Sequence, residues 1–273
     1  MTMQDDLMRA GSVRNENVEE AVIRDAAPEL PARLEECAFL LDVDGTLLDL
    51  AATPREVFVP AELRQTLERL RKITNGAVAF VSGRLINELD LIFAPLTLAA
   101  IGGHGAEFRL SSDSDIQDDL VMPMPAKIKQ RFAVIAEEGP GIIVEDKNYS
   151  LALHYRLAPD KEEYVRRAAA RVCEEIGSDN LELLPGKFVV EIKQVGFSKA
   201  TAVRALMAHK PFAGRKPVFI GDDTTDEPVF PVIPDFGGEG FSVGRRVAGV
   251  RGHFGKPADV RRWLETLAVG TTP

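Results

Sequence analysis

The chain has 273 residues, 45% hydrophobic and 27% charged, enough apolar material for one large core or two smaller ones in a globular protein. Its net charge of -9 speaks against a general nucleic-acid binder and against anchoring on an anionic membrane, and no apolar run approaches a membrane span. Two cysteines, Cys37 and Cys173, exclude a disulfide framework or a Cys-rich zinc site and fit a reducing, cytoplasmic setting.

Residues 1–35 are charged and weakly patterned, and are expected to form a mobile N-terminal arm. Met1 to Arg14 lack the apolar segment of a secretory signal. Val18 to Ile23 suit a short helix stopped by Pro28 and Pro31.

The run Cys37-Ala38-Phe39-Leu40-Leu41 has no polar alternation and predicts a strand buried on both faces. It ends in Asp42-Val43-Asp44-Gly45-Thr46. In open α/β sheets ligands bind beyond the carboxyl ends of strands, so two acids here suit metal binding, nucleophilic attack or proton transfer. Asp-Gly between apolar runs is also a turn signal, and both readings stand at this point.

Pro60 to Thr74 place Leu63, Leu67, Leu70 and Ile73 at helical spacing. Ala77 to Val81 follow as a second buried strand ending in Ser82-Gly83-Arg84. Strand, helix and strand make a parallel unit, which brings Ser82 to the same sheet edge as Asp42. Leu96 to Ile101 predict another strand, ending in Gly102-Gly103-His104-Gly105, a tight turn or a site wall.

Beyond Arg109 the pattern changes. Ser111 to Asp119 are a polar, acidic loop. Helix Lys127 to Glu138, a hairpin of 141–147 and 150–156, helix Lys161 to Ile176, and a second hairpin turning at Pro185-Gly186 make an α+β module. It spans 110–193 and interrupts a parallel core of 36–109 and 194–273. The core resumes with a helix from Ser198 to His209. Lys199 lies in its first turn, where the helix dipole disfavours a cation unless an anion is bound. Val218 to Ile220 predict a strand ending in Gly221-Asp222-Asp223-Thr224-Thr225-Asp226-Glu227, and Val260 to Leu267 a closing helix in which Trp263 packs.

Asp42, Asp44, Ser82, Asp222, Asp223, Asp226 and Lys199 thus converge on one edge. Clustered carboxylates repel one another unless a cation sits among them, and an all-oxygen set favours Mg2+. A metal, a lysine and a hydroxyl around an acid suit a phosphoryl group, with an aspartate as nucleophile.

Asp42-Val43-Asp44-Gly45-Thr46, Ser82, Lys199 and Gly221 to Asp226 resemble, in order, the four motifs of haloacid dehalogenase-superfamily phosphatases. The insert resembles that superfamily's C2-type cap. More narrowly, 37–267 resemble the trehalose-6-phosphate phosphatase family through His104-Gly105-Ala106-Glu107, Val144 to Lys147, His154-Tyr155-Arg156, Pro185-Gly186-Lys187, Val190 to Lys193 and Gly221 to Glu227. Ala200 stands where that family usually has glycine, and Gln194 where proline is common.

The resemblance implies an α/β fold: a parallel-sheet, Rossmann-like core with an inserted α+β cap. It implies a phosphoric monoester hydrolase that uses Mg2+ to release phosphate from trehalose 6-phosphate. Asp42 would be the nucleophile and Asp44 the acid and base, with Ser82 and Lys199 holding phosphoryl oxygens. Asp42, Asp44, Asp222, Asp223 and Asp226 would hold or support the metal. Arg84, His104, Gly105, Glu145, Lys147, Arg156, Lys187 and Glu191 would bind the sugar. A monomer that associates with a trehalose-6-phosphate synthase, without nucleic acid or membrane, is the expected setting. Another sugar phosphatase, a phosphomutase and a non-catalytic sugar-phosphate sensor are the alternatives.

Overall fold

Cys37–Leu41 form β1, buried at every position, at the centre of a seven-stranded sheet. A computed structural model describes residues 33–51, 56–118, 122–177 and 181–270. The expected helix at Val18 to Ile23 and most of the N-terminal arm lie outside these residues. From β1 the chain runs through α1 (Ala61–Ile73), β2 (Val78–Val81), α2 (Ile86–Phe93), β3 (Ala99–Gly102) and β4 (Glu107–Arg109). It continues through α3 (Ala126–Glu138), β5 (Ile143–Asp146), β6 (Ser150–His154), α4 (Glu162–Ile176), β7 (Leu181–Gly186) and β8 (Val189–Gln194). It returns to the first sheet through α5 (Lys199–Met207), β9 (Lys216–Gly221), β10 (Glu239–Val243), β11 (Gly252–Phe254) and α6 (Pro257–Gly270).

The large sheet has the order β11-β10-β9-β1-β2-β3-β4, and every pairing except β3 with β4 is parallel. The chain moves outward in one direction from β1 through β2 and β3, and in the other from β9 through β10 and β11. The ends of β1 and β9 therefore meet at the point where strand order reverses, the usual ligand crevice of such sheets. Alternate β1 residues feed opposite layers. Phe39 and Leu41 join α1, α2 and α6, while Ala38 and Leu40 join α5. Trp263 packs as expected, its ring 5.7 Å from Phe254 and 5.9 Å from Phe241.

The insert forms a separate antiparallel sheet, β5-β6-β8-β7, backed by α3 and α4 through Phe132, Ile135, Val165, Val172, Val190 and Ile192. It is the cap of this α/β fold. Among the described residues no helix is long and apolar enough to cross a membrane.

Four departures from the expected elements matter. Helix α2 and strands β4, β10 and β11 were not anticipated. β3 begins at Ala99 rather than Leu96, because Leu96 N–H still bonds the Phe93 carbonyl at 3.0 Å, extending the turn after α2. β9 begins at Lys216, two residues early. The second cap hairpin does not turn at Pro185-Gly186. Gly186 pairs with Val189, so Lys187 and Phe188 are the turn, and Phe188 takes φ +62°.

Candidate active site

β1 delivers Asp42, β2 delivers Ser82 and β9 delivers Asp222 to one edge of the sheet. Asp42 N–H bonds the Ile220 carbonyl at 3.0 Å, which ties the first acid to the neighbouring strand. Gly45 completes the turn at φ +84°, and a Cβ there would lie 2.1 Å from Asp222 Oδ2. Both the backbone and the acid beside it therefore require glycine.

Lys199 is buried at the start of α5, capped by Ser198, whose Oγ accepts from Thr201 N–H at 3.2 Å. Its ammonium donates 2.7 Å hydrogen bonds to Asp42 Oδ1 and to Asp226 Oδ1. These two carboxylates answer the dipole penalty that the sequence assigned to a bound anion. Burial disfavours the Lys199 charge, but the two acids outweigh it and hold the amine well above its ordinary range.

Asp226 is fully buried, and its second oxygen accepts from the Asp222 and Asp223 amides at 3.0 and 3.1 Å. Both oxygens are engaged, so Asp226 braces the loop that carries Asp222. Asp223 turns aside, bonding Thr224 N–H at 2.7 Å. Asp42, Asp222 and Asp226 each place a carboxylate oxygen within 4.8 Å of the others. Burial, then the Asp226 charge, pushes Asp222 up to about 7 and moves Asp42 upward too. Asp42 Oδ2 is buried and has no hydrogen-bond partner among the described residues. A crowded, all-oxygen acid cluster with one orphaned carboxylate oxygen fits a hard divalent cation.

Asp44 stands on the other side of the turn. Arg84 donates to its two oxygens, Nε to Oδ2 and Nη2 to Oδ1, each at 2.6 Å. Ser82 is buried, its Oγ accepting from Arg84 N–H at 3.1 Å. Arg84, assigned to sugar from the sequence, is therefore placed on Asp44.

The cap sheet faces this edge. Glu145, Ala152, Glu191 and Leu184 form one row across its four strands, and the two-residue repeat puts Lys147 on the same face. Glu191 is buried and holds three side-chain partners. Lys147 Nζ reaches its Oε2 at 3.0 Å, Ser150 Oγ its Oε1 at 2.5 Å, and His104 Nε2, from the core, lies 3.1 Å from Oε2. These partners outweigh burial and hold Glu191 well below the usual carboxylate range. Glu145 pairs with His154 at 2.6 Å. Arg156 donates to the Ala51 carbonyl of the core, and Lys187 projects from the β7–β8 turn.

Core and cap enclose a cavity of about 510 Å³, lined by Asp42, Asp44, Ser82, Lys199, Asp222 and Asp223 on one side and Glu145, Lys147, Arg156, Lys187 and Glu191 on the other, with Arg84 and His104 between them. Gly105 does not line it. A Cβ on Gly105 would meet the Ser198 carbonyl at 2.6 Å, so this glycine seats α5 against the sheet. Asp226 also lies behind the lining. Two groups were not singled out from the sequence, Ser150 and Phe188, and His154 was quoted only within a resemblance motif with no role of its own. Strand alternation alone could have found Ser150 and His154, which share a face with Ala152.

A family model described as trehalose-phosphatase matches residues 40–252. The chain belongs to the trehalose-phosphatase family. Trehalose-phosphatases are phosphoric monoester hydrolases, and this chain is one of them. A trehalose-6-phosphate phosphatase of Escherichia coli is 36% identical over 240 residues, 88% of each chain. The C-terminal domain of a C. albicans trehalose-6-phosphate phosphatase superposes with a TM-score of 0.78 at 21% identity, covering 91% of this chain and 99% of that one. A Bacteroides thetaiotaomicron phosphatase of the haloalkanoate enzyme superfamily gives 0.58 at 15% identity, covering 89% and 100%. The last two show the fold alone: a mostly parallel core sheet with a separate inserted sheet.

Proposed function

We propose that this phosphatase hydrolyses trehalose 6-phosphate to trehalose and phosphate through an aspartyl-phosphate on Asp42, with Mg2+ as cofactor. The observation that carries the reading is the single cavity shared by the acid cluster of the core and the charged row of the cap. Asp42 Oδ2, free of hydrogen bonds, attacks phosphorus while Lys199 fixes Oδ1 of the same carboxylate. As the bond from phosphorus to the sugar oxygen breaks, Asp44 gives that oxygen a proton. Asp44 then takes a proton from the water that attacks phosphorus and releases Asp42. Ser82 and Lys199 border the phosphoryl oxygens. Asp42, Asp222 and the Asp44 backbone carbonyl would hold Mg2+, with Asp223 or Asp226 in support, and the ion supplies positive charge against the developing phosphoryl charge.

Residues 110–193 act as the selective cap. Glu145, Lys147, Arg156, Lys187 and Glu191 meet the hydroxyls of the sugar, where charged groups make the stronger hydrogen bonds. The acidic net charge and two free cysteines support a cytoplasmic enzyme, taken as a monomer, to which a trehalose-6-phosphate synthase supplies substrate. Phosphate release from a panel of sugar phosphates with Mg2+ tests the reading. Trehalose 6-phosphate is expected to give the highest kcat/KM, and a clear preference for another ester would overturn the substrate assignment.

A further inference from the structure

Phe188 occupies an unusual position. It is the second residue of the two-residue turn closed by the Gly186–Val189 pair, and its φ of +62° lies in the left-handed region. Turns of this kind favour asparagine or glycine, and a bulky aromatic is strained there. The surroundings hold it in place. The Phe188 carbonyl accepts from Tyr155 N–H at 2.9 Å, and the Tyr155 ring meets the Phe188 ring edge-on at 6.2 Å. Strain kept under such restraint marks a functional site more often than a packing accident.

The ring lines the same cavity as the acid cluster. The Arg156 guanidinium lies over it, 5.7 Å from the ring centroid, and donates to the Ala51 carbonyl, from cap to core. Thr224 Oγ1, beside the acid loop, donates to the Pro185 carbonyl at 3.3 Å, so the hairpin tip is seated on the core. Leu50 and Val57 supply apolar surface to the same cavity from the core. The charged row suits hydroxyl groups. It offers nothing to the C–H faces of a pyranose, which pack best against the electron-rich face of an aromatic ring.

We infer that Phe188 is a specificity-determining residue whose ring, with the Arg156 guanidinium 5.7 Å from its centroid, forms the platform for a pyranose ring of the substrate. The inference rests on the sugar-phosphate reading above, and assigns the C–H faces of the sugar to the hairpin tip rather than to the charged row.

The test compares Phe188→Gly, Phe188→Leu and Phe188→Tyr with wild type on two esters: the sugar phosphate that wild type prefers, and glycerol 2-phosphate, which has no ring. Glycine suits the positive φ, leucine keeps apolar bulk without a ring face, and tyrosine keeps the ring. The expected result is a tenfold or greater fall in kcat/KM for the sugar phosphate with glycine and leucine, carried mainly by KM. Tyrosine should stay within threefold of wild type, and glycerol 2-phosphate within threefold in all three. Equal losses on both esters would make Phe188 structural and overturn the platform, as would an unchanged sugar phosphate. If wild type prefers a sugar phosphate other than trehalose 6-phosphate, the substrate assignment fails alone and the comparison proceeds with that ester. If it favours no sugar phosphate over glycerol 2-phosphate, both fail.

Discussion

Arg84 grips Asp44 through two hydrogen bonds of 2.6 Å, one to each carboxylate oxygen. A bidentate pair of this kind fixes direction as well as charge. It holds the proposed acid and base at the edge of the cavity before any ester arrives, and the pair must open for the proton to move. Asp44→Asn is expected to lower kcat by about 100-fold or more, since both proton transfers pass through it. Arg84→Met should cost roughly 10- to 100-fold, the worth of a charged hydrogen bond at about 1.5–3 kcal/mol. The double variant should be no slower than Asp44→Asn, because Arg84 acts through Asp44. Additive losses in kcat/KM would instead return Arg84 to the sugar, where the sequence placed it.

The orphaned oxygen of Asp42 yields a second expectation. Asp42→Asn removes the attacking oxygen and one charge of the acid cluster, so turnover should drop to background. Wild-type enzyme should stop in EDTA and recover with Mg2+, read as phosphate release. Undiminished activity in EDTA would remove the cation from the mechanism, and near-normal turnover of Asp42→Asn would remove the covalent step.

Much of this arrangement was legible in the sequence, for reasons that differ by element. β1, β2 and β9 are apolar runs cut off by acids or a serine, a pattern that survives without tertiary context. β10 and β11 are short and interrupted by Gly240, Ser242, Gly252 and His253, so they become strands only through the neighbour that pairs with them. Helix α2 is only eight residues long, and its start is set by Glu107, whose Oε2 accepts from Ile86 N–H at 2.7 Å across 21 residues. Pro185-Gly186 reads as a turn on local chemistry, yet the register with β8 moves the turn onward by two residues. Glu191 was legible as a sugar-binding carboxylate only through the family resemblance, and its own partners were not. Which partners depends on cross-strand register and on a histidine delivered by the core, and no spacing rule contains either.

Lys199 carries a stability prediction. It is the cation shared by Asp42 and Asp226, all three buried. Lys199→Met strands both carboxylates, and breaking a buried pair in this way costs about 3–5 kcal/mol. Urea unfolding without divalent cation should show that loss, and Mg2+ should stabilise the variant more than it stabilises wild type. A loss below about 1 kcal/mol would mean that the acids are not held by the ammonium.

Glu191 gives a pH signature. Its folded carboxyl titrates well below the ordinary value of 4.5, so the stability it contributes is present in full above that pH. That contribution is lost as pH falls through the lowered value. Glu191→Gln should therefore melt below wild type at pH 7, with the gap narrowing as pH drops beneath 4.5. Its kcat/KM should fall by tenfold or more on trehalose 6-phosphate and far less on p-nitrophenyl phosphate, which needs only the core. Glu145→Ala should behave alike in that ratio. A Tm gap that widens in acid would place the Glu191 charge on the wrong side of the balance.

β1 and β9 are adjacent, with Leu41 opposite Ile220, so Asp42 and Asp222 leave the sheet one strand apart. Neighbouring strands lie roughly 4.7–4.9 Å apart whatever side chains they carry, because the peptide hydrogen bond sets the pitch. The ladder thus works as a ruler for the acid pair. Lengthening a loop or repacking the insert leaves this ruler untouched. The range of esters admitted can drift over generations of substitution while the gap that holds the reacting centre keeps one length.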